Sequence, residues 1–493
     1  MRRTCPQQAP TSILSLLSSI MPSQRILPIA AVALILSAPG LHAQISQAEY
    51  AARRDSLAAR IGNGFVFAFG ERNPITDFGP FYQIPSFHYL TGFDEPDAAF
   101  ILVAHDGRAT GTLFLMPAPV RTELYYGFRS DSTTTPRDFG LAGRSFSAFT
   151  SVVDSLVAAG LKCWNLADYE DADFARADSL TRGGEFVKAL VARHHGLQVQ
   201  NAQVIVGQLR ARKSPAEIAL LKRAAEISSA GHLAVLKAPE PKHEWEWQAV
   251  LEYTFTKMGG ERVAYGSIVG SGERGTQLHY MKDRGDTKLG DLVVMDAATQ
   301  YQGYAADVTR TVPVNGVFSP EQRTIYQLVR DAQAAAERNA KPGMSPVAAQ
   351  DSSLEVRARG LAKLGLIDNV NATYDCGQAN PCRQVAIWTI HGISHGLGLA
   401  VHDYVQGRTA YQVGDAFTLE PGIYINTKFL EVIPQTPANV AFINRVMPVA
   451  RKYNDIGVRI EDDYVITDQG LERMSNDPRE ISEIEAIMKT RGH

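Results

Sequence analysis

Four acidic side chains sit inside runs that otherwise read as buried strands. Asp296 closes LVVMD, Glu420 lies within FTLEPGIYI, Glu461 follows GVRI, and Asp307 stands in GYAADVTRT, eleven residues after Asp296. Burying a carboxylate is costly unless it is paired or binds a metal. The glycine-containing stretch between Asp296 and Asp307 reads as a turn, so a hairpin would bring the two aspartates together. Arg459 and Glu461 alternate with Val458 and Ile460, which puts the charged pair on one face of a strand and the apolar pair on the other. A second cluster, HGISHGLGLAVHD, places His391, His395 and His402 within twelve residues, a quarter of the chain's 12 histidines. Its glycines let backbone and ligand approach closely. Any one of these features has an ordinary explanation, an ion pair or a solvated turn. Four embedded acids, a histidine triplet and an embedded arginine in one stretch point instead to a metal site. Oxygen-rich donors with imidazole suit Mn²⁺ first, and also Co²⁺ or Zn²⁺. Carboxylates can bridge two such ions about 3.5 Å apart, the arrangement of two-metal hydrolases.

Strands and helices must carry these groups. FVFAF (65–69), AAFILVAH (98–105) and GTLFLMP (111–117) read as strands, followed by amphipathic stretches near 147–160 and 185–196, an α/β pattern. In KSPAEIALLKRAAEI, Ser214 reads as an N-cap, Pro215 as the first helical residue and Glu217 as the capping-box partner. Ile218, Leu221 and Ala225 then share a face. The domain boundary is placed just before this helix, giving an N-terminal domain at 44–210 and a C-terminal domain at 211–493. In the C-terminal domain Ser319, Pro320 and Gln322 open another helix with a stripe of Ile325, Leu328, Val329 and Ala332. A further helix should run from Pro346 to Leu364 and stop at Gly365. DLVVMDAA (291–298), FTLEPGIYI (417–425) and GVRIEDDYVIT (457–467) read as strands, and a last helix is expected at Asp477-Pro478. The fold class is α/β (α+β).

The chain has 493 residues, 45% apolar and 20% charged, with a formal net charge of -3 and no polybasic run. That is the balance of a globular protein and offers no footprint for nucleic acid. Arg25, the apolar run Ile26 to Leu36 and SAPGLHA read as a signal peptide, residues 1–43, cut after Ala43, with Met21 as an alternative start. The run is short and interrupted by Pro28, so no stable membrane insertion is expected after processing. The expected location is periplasmic or secreted. In such a compartment Cys376 and Cys382, at the ends of CGQANPC, could be joined or remain two thiols. Cys163, in LKCWNL, reads as a core residue.

MDAATQYQGYAADVTRT, HGISHGLGLAVHD, FTLEPGIYI and GVRIEDDYVIT resemble the motif series of the pita-bread metallopeptidases, and among these the Xaa-Pro aminopeptidase (aminopeptidase P) family. FHYLTGFDEPDAAFIL resembles that family's first, creatinase-like domain, and YGSIVGSGERGTQLHY its substrate-side loop. The resemblance spans roughly residues 60–490. It implies a pita-bread catalytic domain holding two divalent metal ions. Asp307 and Glu461 would bridge them, Asp296 would complete one shell, and His395 with Glu420 the other. It also implies that Glu420 is the general base, that His391 and His402 contact substrate and stabilise the tetrahedral intermediate, that His279 lines the site near the proline ring, and that Tyr424 and Arg459 relay a proton. The substrates would be peptides with proline at position two, and members often self-associate as dimers or tetramers. Three differences bear on pocket shape. Gly396 stands where bacterial members commonly have tryptophan, Ala298 replaces a usual glycine, and 372–383 resembles an insertion.

Two other readings use the same residues. A prolidase-like dipeptidase would share all five ligands and cleave only Xaa-Pro dipeptides. A non-catalytic peptide-binding pita-bread module would normally have lost the ligands. Methionine aminopeptidases normally lack the first domain, and creatinases lack the metal ligands.

Overall fold

The computed structural model describes residues 44–74, 79–167, 181–405 and 409–491. The expected leader, with Met21, Arg25 and Ala43, lies outside them. Strand Gly64–Phe69 is buried along its whole length, so both of its faces need cover. Phe65, Phe67 and Phe69 pack against Phe149, Val153 and Leu190, from helices Phe149–Ala158 and Arg182–Arg193. Val66 and Ala68 point the other way, to Leu57 and Ile61 of helix Gln47–Ile61. The sheet has six strands, in the order Ala142–Ser145, Arg108–Leu115, Ala99–His105, Gly64–Phe69, Lys162–Asn165 and Val199–Asn201. The middle strands pair antiparallel and the outer ones join parallel. Cys163 is buried on this sheet as a free thiol.

Ser214 and Glu217 form the capping box of helix Pro215–Lys237. Across the expected boundary the apolar interior is continuous. Leu57, Phe87 and Leu90 share a cluster with Leu220, Ala224, Ala298, Tyr304 and Leu397, and Ala43–His493 forms one compact unit.

The second half wraps helices around small antiparallel sheets. Ser319 and Gln322 cap Pro320–Asn339, and Gly365, in the left-handed region at φ 80°, ends Pro346–Leu364. Strand Leu292–Asp296 pairs with Thr309–Pro313, Asp296 opposite Thr309, and with Ile268–Ser271 on its other side. Each of the two long strands expected around the glutamates is broken in two. FTLEPGIYI becomes Ala416–Leu419 and Gly422–Ile425, and GVRIEDDYVIT becomes Ile456–Arg459 and Asp462–Thr467. The first halves pair with partners in different sheets from the second halves. Pro421 has no N–H for the ladder, so the break falls there, and the partner strand changes sheet across Ile460-Glu461. The last helix also differs from expectation. It is Ile481–Met488, because Asp477 is engaged elsewhere, pairing with Arg310 at 2.7 Å and accepting from Ser229. Cys376 and Cys382 are disulfide-bonded and close the short hairpin of Thr373–Tyr374 with Cys382–Arg383. Among the described residues no helix is long and apolar enough to cross a membrane.

Candidate metal centre

Both strand breaks bring their glutamates to one histidine, His395. Asp296 arrives from the end of its strand and Asp307 from the returning arm of the same hairpin. His395 arrives from the loop whose backbone bonds to Thr418. Three overlapping groups result: Asp307 with His395 and His402; His395 with Glu420 and Glu461; and Asp296 with Asp307 and Glu461. In each, one ligand atom per residue lies within 4.8 Å of the others. Asp307 and Glu461 each belong to two groups. His395 Nε2 is 3.3 Å from Asp307, 3.5 Å from Glu420 and 3.9 Å from Glu461. Its Nδ1 donates to the Gly396 carbonyl at 3.1 Å, which leaves Nε2 facing the carboxylates, as a metal-binding imidazole requires.

The surrounding polar groups hold the cage. Arg459 donates to Asp296 at 2.6 Å, to Tyr424 Oη at 2.8 Å and to Thr309 Oγ1 at 3.1 Å. Thr309 donates to Glu461 Oε2 at 2.6 Å. His391 Nε2 lies 2.8 Å from Tyr424 Oη, and its Nδ1 lies 3.4 Å from Glu420. The rings of His395 and His402 are 4.2 Å apart. His279 is exposed, near enough to His391 to influence it electrostatically. Gly396 has a steric reason. A Cβ there would lie 2.5 Å from the Asp403 carbonyl and 2.7 Å from Val405.

The electrostatics fit cations. Burial, then the neighbouring Asp307 and Asp296, push the Glu420 carboxyl up to about 7. Burial and the same acids raise Glu461 well above the carboxylate range, and burial raises Asp296 although Arg459 opposes it. Burial pulls His395 down, but Asp307 and Glu420 outweigh it and lift the imidazole to about 9. Glu461 Oε1 is buried and has no hydrogen-bond partner among the described residues. Crowded carboxylates, an orphan buried oxygen and a correctly turned imidazole are what a divalent ion would satisfy.

Several contributors lie inside the quoted motifs but take no role from the sequence alone. Tyr265 Oη lies 2.5 Å from Asp296 Oδ1 and 2.6 Å from Asp307 Oδ1. Its sequence signals are its place at the head of YGSIVGSGERGTQLHY and its position just ahead of the strand in which Ile268 pairs with Asp296. Asp463 accepts from the Asp307 N–H, and Arg310 donates to the Glu461 carbonyl at 2.6 Å. The run Glu461-Asp462-Asp463 is thus buried rather than a solvated turn.

Comparison with known proteins agrees with this geometry. The model of metallopeptidase family M24 matches residues 219–468, and that of the aminopeptidase P N-terminal domain matches residues 50–162. Xaa-Pro aminopeptidase of Escherichia coli K12 is 31% identical over 461 residues, covering 90% of this chain and 98% of its own. That of Haemophilus influenzae is 30% identical over 458 residues, covering 90% and 98%. Proline aminopeptidase P II from Yersinia pestis superimposes with a TM-score of 0.75 at 30% identity, covering 90% of this chain and 99% of that one. Aminopeptidase P from E. coli with the inhibitor Pro-Leu gives 0.73 at 29%, covering 90% and 99%. With matches running from the N-terminal sheet through the metal cage, the chain belongs to metallopeptidase family M24, in its Xaa-Pro aminopeptidase branch.

Proposed function

We propose that this protein is a metalloaminopeptidase that releases the N-terminal residue from peptides with proline in second position. The observation that carries this is the cage of Asp296, Asp307, His395, Glu420 and Glu461, in which Glu461 Oε1 is buried without a hydrogen-bond partner among the described residues, in a chain aligned over 90% of its length with Xaa-Pro aminopeptidase. Asp307 and Glu461 would hold both ions, Asp296 one of them, and His395 with Glu420 the other. The oxygen-rich set supports Mn²⁺, with Co²⁺ or Zn²⁺ as alternatives. Bound divalent ions supply Lewis acidity and make water acidic enough to attack near neutral pH.

The chain's own groups account for the proton traffic. Glu420 accepts the proton of the attacking water. Glu420, His391, Tyr424 and Arg459 form a connected line through contacts of 3.4, 2.8 and 2.8 Å. That line can return a proton to the proline nitrogen as the C–N bond breaks. The nitrogen needs it because it must depart as a neutral amine rather than an amide anion, as in any peptide hydrolysis. His402 and His391 flank the acyl oxygen, and His279 closes the mouth beside the proline ring.

Three features of the whole chain join this reading. The Cys376–Cys382 disulfide supports a periplasmic or secreted location after removal of residues 1–43. The matched ranges support an organisation of 44–210 and 211–493. On helix Val120–Tyr126 and just beyond it, Leu124, Tyr125, Tyr126 and Phe128 are 81, 69, 62 and 95% exposed, which supports self-association as a dimer or tetramer. Light scattering of the purified protein checks the last point, and a monomer at micromolar concentration would end it. The function is tested with Xaa-Pro-Xaa peptides, with Mn²⁺ added or chelated. Cleavage of Xaa-Pro dipeptides alone would make the chain a prolidase-like dipeptidase. No metal and no hydrolysis would make it a binding module.

A further inference from the structure

Among the described residues four arginines are fully buried. Three have an acid: Arg210 meets Asp403 at 2.9 Å, Arg310 meets Asp462 at 2.6 Å, and Arg459 meets Asp296 at 2.6 Å. The fourth, Arg357, has none within 4.0 Å among the described residues. Its Nη2 also lacks a hydrogen-bond partner there. Its two bonds are long and go to neutral carbonyls, Nη1 to Gly422 at 3.3 Å and Nε to Ser353 at 3.4 Å.

Its place is informative. Arg357 belongs to helix Pro346–Leu364, which sends a polar stripe toward the back of the metal cage. Gln350 accepts from the Ile393 N–H at 3.1 Å, between His391 and His395. Two turns later Arg357 takes the Gly422 carbonyl, between Glu420 and Tyr424. Ser353, buried, lies between them on the same face. One helical stripe therefore holds both segments that carry the reacting side chains. Gly422 leaves no slack, since a Cβ there would lie 2.5 Å from Tyr424 Oη. Burial lowers the guanidinium to about 10, against the fields of Tyr424 and Glu420, so it stays charged at neutral pH.

An unpaired buried cation does not serve stability. Burying an unpaired charge costs desolvation free energy, so an apolar group of similar volume is not expected to weaken the fold. It can serve a reaction in which negative charge develops nearby, because a fixed charge in a dry site needs no reorganisation.

We propose that Arg357 is a positioning residue for the peptidase reaction. Through the Gly422 carbonyl it fixes the turn between Glu420 and Tyr424, and as a fixed cation behind that turn it favours the charge that grows on the scissile carbonyl oxygen. This rests on the activity proposed above. The test compares Arg357→Met and Arg357→Lys with wild type in kcat and KM on an Xaa-Pro-Xaa peptide, in bound Mn²⁺, and in the Tm of the metal-free protein. Arg357→Met should lower kcat about tenfold with KM within roughly twofold. Its metal-free Tm should equal or exceed that of wild type, and Arg357→Lys should recover most of the kcat. Unchanged kcat in Arg357→Met overturns the inference. So does a joint loss of Tm, metal and activity that Arg357→Lys does not relieve, since that is a structural role. A wild-type protein inert on every Xaa-Pro peptide sinks the proposed activity and this inference with it, whereas active wild type beside an equally active Arg357→Met sinks the inference alone.

Discussion

Tyr265→Phe removes one oxygen atom and leaves the ring that packs beside Asp296. That oxygen lies within 2.6 Å of both aspartates. A phenol has one proton to donate, so in the metal-free protein the two carboxyls and the hydroxyl must share protons among them. Burial already pushes the hydroxyl proton affinity well up, helped by Asp296 and Asp307. When cations fill the cage both aspartates are ionised, and the hydroxyl is left to orient them. Loss of a group that orients metal ligands typically weakens metal affinity about 10–100-fold, which is roughly 1.4–2.7 kcal/mol. By mass action the stabilisation by a fixed excess of Mn²⁺ falls by the same amount. For the roughly 450 residues of the compact unit Ala43–His493, unfolding entropy is about 1 kcal/mol per degree, so the Mn²⁺-loaded Tm should drop about 1.5–3 °C. The assay is chelator competition for Mn²⁺ alongside calorimetry of the metal-loaded and metal-free forms. Mn²⁺ affinity within twofold of wild type would refute the reasoning, because a hydroxyl touching both aspartates would then have no bearing on their cation.

Glu420→Ala should abolish turnover and weaken one metal site, and full turnover in that variant would remove Glu420 from its role as base. Asp403→Asn strips the acid from Arg210 and Lys213, all three buried. Removing one member of a buried ion pair costs about 3–5 kcal/mol, a Tm drop of about 3–5 °C, and an unchanged Tm would contradict the pairing. Burial pushes the Asp403 and Asp462 carboxyls up, but Arg210 with Lys213, and Arg310 with Arg479, outweigh it and hold both below the ordinary range. Their contribution is therefore complete above about pH 4, the unfolded carboxyl value, and is lost as pH falls below it. Thermal scans from pH 6 to 3 should steepen there for wild type and less so for Asp403→Asn. Reducing Cys376–Cys382, six residues apart, should cost about 2.4 kcal/mol at most. Free thiols at both positions, found by mass spectrometry on protein from an oxidising compartment, would end that expectation.

What could be read in advance followed how local each signal was. Helix starts at Ser214 and Ser319 were legible because a capping box is written within four residues. The cage acids stood out because carboxylates in apolar strands demand an explanation. The strand breaks at Glu420 and Glu461 were hidden. Periodicity shows that a segment is extended, but not which sheet each half joins. Asp477 looked like a cap by spacing, and only the fold brings Arg310 to it. The roles of Tyr265, Thr309 and Arg357 are hidden for the same reason, since the contacts that define them reach Asp296, Glu461 and Gly422, at least 31 residues away in the chain.

The most direct test of the account is the rate at which purified protein releases the first residue from an Xaa-Pro-Xaa tripeptide, measured with Mn²⁺ supplied and again after chelation. The account predicts release of the free first residue with Mn²⁺, loss of activity on chelation, recovery when metal is returned, and little activity on the matching peptide with alanine in second place. Hydrolysis that persists without metal, or that ignores the proline, would contradict it.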